Sequence, residues 1–241
     1  WVFKFGMSGP DRQGSRCGAG RTSIFRYQGA SEDMLHINRR RLRTMAGGAS
    51  AKTLIAACER QKQLSTKKVK IQDTSAASEV TAVEKAHADA TAMIDKAINR
   101  LEAAKKHPDA LVASRFGIAG TTSGDIARLD ALISNYQKMQ TGAAGATYEV
   151  EHEAIKAGEP YTVAYVYTLP VVGGVGDIHI NFPAFSLGSD ADRAATVVHE
   201  MSHYYAGTDD VAYEWEPTWS TMNPEVQSNN ADSYSSFARD S

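Results

Sequence analysis

Apolar residues recur every three or four positions along two long stretches in the middle of the chain. In residues 79–106 this stripe consists of Val83, Ala86, Ala90, Ile94, Ala97 and Leu101. The spacing predicts a long amphipathic helix, and Pro108 predicts its end because proline cannot continue a helix. A second stripe follows Ser123 and consists of Ile126, Leu129, Ile133, Tyr136 and Met139. It predicts a second helix, which the glycine-rich residues 142–145 would close.

Three further elements are predicted nearer the carboxyl terminus. Residues 161–167 have the β-branched and aromatic composition of a strand, and residues 176–182 alternate between apolar and polar side chains. Pro224 and Glu225 are favourable first residues for a last helix, which is predicted to extend to about Arg239.

The candidate chemistry lies on another predicted helix, which begins near Ser189. No proline occurs between residues 184 and 216, and the apolar stripe consists of Ala194, Val197, Val198 and Met201. The helix contains H-E-x-x-H at residues 199–203. Because positions i and i+4 lie on one face of a helix, His199 and His203 can bind one metal ion.

Two histidines do not complete a catalytic zinc site, which usually has three protein ligands and a water molecule. His203 is the last histidine of the chain, so a third ligand that follows the helix must be a carboxylate. The candidates are Asp209, Asp210, Glu214, Glu216, Glu225 and Asp232.

Two later motifs carry a resemblance to a known family. Residues 207–213 match G-T-x-D-x-x-Y, and residues 230–234 match N-A-D-x-Y. In this order, and after H-E-x-x-H, they resemble the aspzincins, the deuterolysin and peptidyl-lysine metalloendopeptidase family. The resemblance covers about residues 160–240. It implies a zinc-dependent endopeptidase that acts on protein or peptide substrates.

The resemblance also implies roles for particular residues. His199, His203 and Asp210 would bind zinc, Glu200 would be the general base, and Tyr213 would stabilise the oxyanion. The ligand roles are also chemically reasonable. Two neutral imidazoles and one carboxylate leave zinc with a net positive charge, so it can acidify a bound water molecule.

A specificity residue is implied in the same way. Asp232 stands where the family has an aspartate that is associated with preference for a lysine or arginine after the scissile bond. The glutamate that follows three residues later in peptidyl-lysine members is replaced here by Ser235.

The implied fold is a zincin-like domain of the α+β class, mainly helical with a small β-sheet. In such domains an edge strand above the active helix binds the substrate backbone, and residues 176–182 are the candidate for this edge strand. The alternative for the same residues is an ordinary buried strand.

Two departures from the family pattern leave alternatives open. Glu214 stands where the family usually has glycine, and only six residues separate His203 from Asp210. A metzincin-like register would make Asp209 the third ligand, although Ala206 occupies its required glycine position. The second alternative is a catalytically degenerate zincin fold that acts as a binding or delivery module.

Charge is distributed unevenly along the 241 residues. Residues 1–70 carry 15 lysines and arginines against 4 aspartates and glutamates, a surplus of 11 positive charges in a chain of net charge -2. This division predicts a basic N-terminal segment at residues 1–70, as a pro-segment, docking unit or lid, and a metallopeptidase domain at residues 71–241. The arginine-rich residues 39–43 lack interleaved aromatics, so no nucleic-acid partner is expected.

The compartment is inferred from the same family resemblance. No run approaches the roughly 20 apolar residues that cross a membrane, and Cys17 and Cys58 form one disulfide or none. We expect a secreted or extracellular protein, in the manner of a bacterial secreted effector. The sequence leaves the oligomeric state open.

Overall fold

A computed structural model describes residues 70–71, 76–156, 161–169 and 173–241. The predicted basic segment, except for Lys70, lies outside these residues, as do both cysteines.

Three helices form the first half of the described chain. Helix α1 spans Ala77–Ala104, α2 spans Ala110–Phe116 and α3 spans Ser123–Ala143. Helices α1 and α3 confirm the sequence predictions, and their ends lie within two residues of the predicted ones. Helix α2 was not predicted, although Asp109 provides a clear start: its carboxylate accepts a hydrogen bond from Val112 N–H at 3.0 Å.

A four-stranded sheet follows these helices. Its strands are β1 (Lys70–Ile71), β2 (Thr147–Glu151), β3 (Ala164–Leu169) and β4 (Gly173–Asn181), in the order β1-β2-β4-β3. Strand β2 is parallel to β1 and β4, whereas β3 is antiparallel to β4. Both predicted strands are present, as β3 and β4, and β2 was missed.

The prediction that residues 176–182 form an edge strand is wrong. These residues lie mostly in β4, which pairs with β2 on one side and β3 on the other. Within the described residues, β3 is the strand at that edge of the sheet. Alternation in a sequence identifies a strand, but its neighbours depend on distant segments, here on the unpredicted β2.

The chain leaves β4 through the short helix α4 (Phe182–Phe185) and enters α5 (Asp190–Met201), which continues as one π-helical turn (Ser202–Ala206). The predicted start of this helix near Ser189 is confirmed, and Ser189 is its N-cap. Ser189 Oγ accepts from Asp192 N–H, and the Asp192 carboxylate accepts from Ser189 N–H, which is a capping box.

The carboxyl-terminal region contains a 3₁₀ turn (Pro217–Thr221), α6 (Pro224–Asn229) and α7 (Ala231–Asp240). One continuous helix over residues 224–239 was predicted, and this is wrong at one position. Asn230 has φ -95° and ψ 121°, so it separates α6 from α7 with an extended backbone. The side chain of Asn230 has another function, described below.

Helix α5 lies at the centre of the core. It packs against α1 and α7, and the turns from Ala194 to Met201 are buried throughout. The histidine motif is therefore held by the same packing that stabilises the domain. The architecture is mainly helical with a small sheet, as predicted. None of the helices in the described ranges is long and apolar enough to cross a bilayer.

Candidate metal centre

The end of α5 and the π-helical turn bring the two motif histidines together. His199 Nε2 lies 3.1 Å from His203 Nε2, and the rings are edge-to-face with centroids 4.8 Å apart. His199 is 1% exposed and His203 is 5% exposed. Two buried imidazoles therefore direct their Nε2 atoms to the same point.

Asp210 supplies a carboxylate to this point. Its Oδ1 lies 2.9 Å from His199 Nε2 and 3.3 Å from His203 Nε2. The neighbouring Asp209 is exposed, and its carboxylate accepts a hydrogen bond from Asn229 Nδ2 at 2.8 Å. The structure thus brings together the three residues that the aspzincin resemblance implies as zinc ligands, and Asp209 lies outside this group.

A tight turn explains how only six residues connect His203 with Asp210. Gly207 adopts φ 70°, which ends the π-helical turn, and its N–H donates to His203 O at 3.2 Å. Thr208 N–H then donates to Ser202 O at 3.3 Å. These bonds reverse the chain so that Asp210 returns to the histidines.

Asn230 fixes the segment after the turn, and its membership of the N-A-D-x-Y motif was its only predicted feature. Asn230 is fully buried; its Oδ1 accepts from Val211 N–H at 2.9 Å and from Ala212 N–H at 3.2 Å. Its Nδ2 donates to Ala212 O at 2.8 Å. The N-A-D-x-Y motif was the available signal, because Asn is favoured where a side chain must satisfy backbone groups.

A hydrogen bond lies behind the His203 ring, and a longer contact to a carboxylate lies behind the His199 ring. His203 Nδ1 lies 2.6 Å from Thr208 O, which can only accept, so Nδ1 carries a proton and Nε2 is the nitrogen that would bind a metal ion. His199 Nδ1 faces Asp232 Oδ1 at 3.8 Å. Such contacts behind the ligand atoms are the usual support of metal-binding histidines.

The donor set fits a zinc ion. In a tetrahedral site with bonds of about 2.1 Å, ligand atoms lie about 3.4 Å apart, and the three atoms here are separated by 2.9, 3.1 and 3.3 Å. Asp210 Oδ1 is buried and makes no well-formed hydrogen bond within the described chain. Burial by itself raises the pKa of Asp210, but His199 and His203 outweigh this and hold it well below the usual value.

Glu200 and Tyr213 border the three ligand candidates. Glu200 is 2% exposed; burial raises its pKa, and the nearby imidazoles of His199 and His203 oppose the rise. Tyr213 interacts with Asp210, and its ring stacks on His199 with centroids 6.2 Å apart and on Trp215 at 4.8 Å. Burial, followed by the charges of Asp210 and Glu200, raises the pKa of Tyr213, so its hydroxyl stays a donor.

Asp232 is buried behind the centre. It is 5% exposed, and its Oδ2 accepts from Glu214 N–H at 2.7 Å. Its Oδ1 accepts from Ser235 Oγ at 3.3 Å and faces His199. The carboxylate thus contacts both α5 and the segment that carries Tyr213.

Glu214 joins this segment to two helices. Its carboxylate pairs with Arg115 of α2 at 2.6 Å and with Arg239 of α7 at 2.8 Å. Arg115 also pairs with Asp240 at 2.8 Å and lies over the Trp219 ring. Glu214, which stands where the family usually has glycine, therefore connects the segment of Tyr213 to α2 and α7.

Comparisons with known proteins show the family and the fold of this chain. The model of the aspzincins, described as lysine-specific metallo-endopeptidase, matches residues 119–239. Among solved structures, a zinc peptidase from Grifola frondosa matches with a TM-score of 0.55 and 24% sequence identity. The match covers 69% of this chain and 97% of that chain, and it shows a shared fold. No curated protein matches the chain.

Proposed function

Because the chain belongs to the aspzincin family of lysine-specific metallo-endopeptidases, we propose that it hydrolyses peptide bonds with a zinc ion bound by His199, His203 and Asp210. The convergence of two imidazole nitrogens and one carboxylate oxygen at the end of α5 carries this proposal. Zinc bound there would acidify a water molecule and polarise the carbonyl oxygen of the substrate.

Glu200 is the general base in this proposal. It follows His199 directly on α5, and its carboxylate is close enough to His199, His203 and Asp210 to interact with their charges. The carboxylate takes a proton from the attacking water and gives it to the leaving amine.

Tyr213 is the oxyanion donor. Its phenol adjoins Asp210, and its ring is held between His199 and Trp215. A hydroxyl held in place before the reaction stabilises the negative charge that develops on the substrate oxygen.

The backbone of a peptide substrate can extend the sheet at β3. This strand pairs with β4 on one side and contacts both α5 and the π-helical turn. An extended peptide that pairs with the other side of β3 would pass close to the metal centre.

Preference for a basic residue after the scissile bond is the finer part of the proposal. The description of the matching family supports lysine, and we assign the preference to Asp232. With Asp232→Asn, we expect the ratio of kcat/KM for lysine over leucine peptides to fall about tenfold or more. Because Asp232 also faces His199, the zinc Kd of the variant is measured beside this ratio. An unchanged ratio with weaker zinc binding would instead make Asp232 a positioning residue for His199.

The mechanism is tested by Glu200→Gln, with Glu225→Gln on the exposed start of α6 as its control. Peptides with lysine, arginine or leucine after the scissile bond are incubated with zinc-loaded protein, and the products are identified by mass spectrometry. Glu200→Gln should keep its zinc and cleave at least about 100-fold more slowly, whereas Glu225→Gln should match the wild type.

Two results would contradict the proposal. Cleavage by Glu200→Gln at the wild-type rate would exclude Glu200 as the base. A zinc-loaded wild type that cleaves none of the peptides would favour the binding or delivery module.

A further inference from the structure

The outer face of the sheet carries a second group of side chains with metal-ligand chemistry. Along β2, Tyr148 and Val150 are buried in the core, so Glu149 and Glu151 project from the opposite face. His179 of β4 is the register partner of Glu149. The three side chains therefore occupy one face of two adjacent strands.

Their ligand atoms converge. His179 Nδ1 lies 2.9 Å from Glu151 Oε1 and 3.3 Å from Glu149 Oε2. All three atoms lie within 4.8 Å of one another. Separations of about 3.0 to 3.4 Å are those of neighbouring ligands at 90° to 109° around an ion with bonds of about 2.1 Å.

Neighbouring aromatic residues fix this arrangement. Tyr165 stacks on the His179 ring with centroids 4.5 Å apart and planes 4° apart, and Tyr167 meets it edge-on at 5.2 Å. His179 is consequently only 8% exposed. The Tyr165 hydroxyl donates to Glu151 Oε1 at 2.7 Å. The imidazole and one carboxylate are therefore oriented by groups that would lie outside the coordination sphere, as in established metal sites.

We propose that Glu149, Glu151 and His179 form a second divalent-cation site, separate from the centre at His199 and His203. Two carboxylates that share one nitrogen partner repel each other unless a positive charge lies between them. One imidazole and two carboxylate oxygens are a ligand set that suits transition ions such as Zn²⁺. A bound ion would cross-link β2 and β4 and stabilise the sheet.

A protonated His179 is the competing source of positive charge. It would form ion pairs with both glutamates and leave no place for a metal ion. The two arrangements differ in how many zinc ions the folded protein binds, and this number does not depend on peptidase activity.

The experiment counts zinc ions per chain. Full-length protein is freed of metal with a chelator, titrated with Zn²⁺ by calorimetry, and analysed for zinc after gel filtration. The wild type should bind two zinc ions. His179→Gln and Glu149→Gln should each lose one, and the lost site should also lower the temperature of zinc-dependent thermal unfolding.

His152→Gln is the matched control. His152 follows Glu151 directly but pairs with Glu79 at 2.8 Å, so this variant should keep both ions. Glu149 is partly exposed, so Glu149→Gln tests the site even if His179→Gln fails to fold. A single zinc in the wild type, or two in both His179→Gln and Glu149→Gln, would overturn the proposal.

Discussion

At the scale of single residues, the backbone conformation of the candidate metal centre depends on Asn230, which is not one of the three proposed ligands. Asn230 is fully buried and makes three hydrogen bonds to the backbone of Val211 and Ala212. These residues lie between Asp210 and Tyr213, so Asn230 holds the proposed third ligand and the proposed oxyanion donor in one conformation.

Asn230→Ala would leave the N–H groups of Val211 and Ala212 and the carbonyl of Ala212 without these bonds. We expect the free energy of unfolding to fall by about 2 to 4 kcal/mol and the zinc Kd to rise about tenfold. Urea denaturation and zinc titration measure the two effects. The exposed Asn229 is the control, since Asn229→Ala removes only a contact to Asp209 and should cost less than about 1 kcal/mol.

His87 predicts a pH dependence of stability. Burial lowers the pKa of His87 to about 4, and its Nδ1 contacts the Tyr148 hydroxyl at 2.8 Å. A depressed pKa means that the unfolded chain takes up the proton first. Neutral His87 therefore contributes its full amount to the free energy of unfolding above the unfolded pKa of about 6.5, and this contribution is lost as the pH falls to 4.

His87→Gln isolates this contribution. Between pH 7 and pH 4, the wild type should lose at most about 3 kcal/mol more unfolding free energy than the variant. Urea denaturation at both pH values gives the difference. If both proteins lose the same amount, protonation of His87 is not responsible.

Individual site residues also show how far a sequence can be interpreted. The histidine spacing follows from helix geometry alone, and His199 and His203 meet as expected. The choice between Asp209 and Asp210 does not follow from spacing, because it depends on the backbone of Gly207 and on bonds from the distant Asn230. The family motif favoured Asp210, and local periodicity alone left both aspartates open.

At the scale of elements, the segment that carries Tyr213 is attached to two helices by ion pairs. Glu214 pairs with Arg115 of α2 and Arg239 of α7, and the Arg115 side chain is only 13% exposed. Partly buried pairs that form a network are more stabilising than isolated surface pairs. Glu214 therefore restrains Tyr213, the residue that directly precedes it.

Glu214→Gln should loosen Tyr213 without removing a zinc ligand. We expect kcat to fall about tenfold, with KM and zinc affinity nearly unchanged, because the oxyanion contact is made in the transition state. Steady-state kinetics on one lysine peptide measure kcat and KM separately. Asp89→Asn, in the exposed pair with Lys85, should have no effect. A change in KM alone would contradict the assigned role.

A helix or strand was predictable from the sequence where its apolar pattern lies within the element itself. Helices α1, α3 and α5 have long apolar stripes or a capping box, and their bounds agree with the sequence. The break between α6 and α7 was not predictable in this way, since Asn230 leaves the helical conformation to bind residues almost 20 positions earlier. The same limit applies to β4, whose central position depends on pairing with β2.

At the scale of the whole molecule, the predicted α+β class is confirmed, and the H-E-x-x-H motif begins at the end of helix α5, which packs against α1 and α7. The buried part of α5 combines the apolar Ala194, Val197, Val198 and Met201 with two ionisable side chains, His199 and Glu200. A basic lid or pro-segment over residues 1–70 and secretion of the protein both stay predictions.

The central claim is that Asp210 completes one zinc site with His199 and His203. Its most direct test is the zinc Kd of Asp210→Ala beside that of Asp209→Ala. Both are made in a His179→Gln background, so that the proposed second site is not counted. We predict that Asp209→Ala binds zinc within about threefold of the parent and that Asp210→Ala binds at least about 100-fold more weakly. Equal zinc affinity of the two variants would contradict the account.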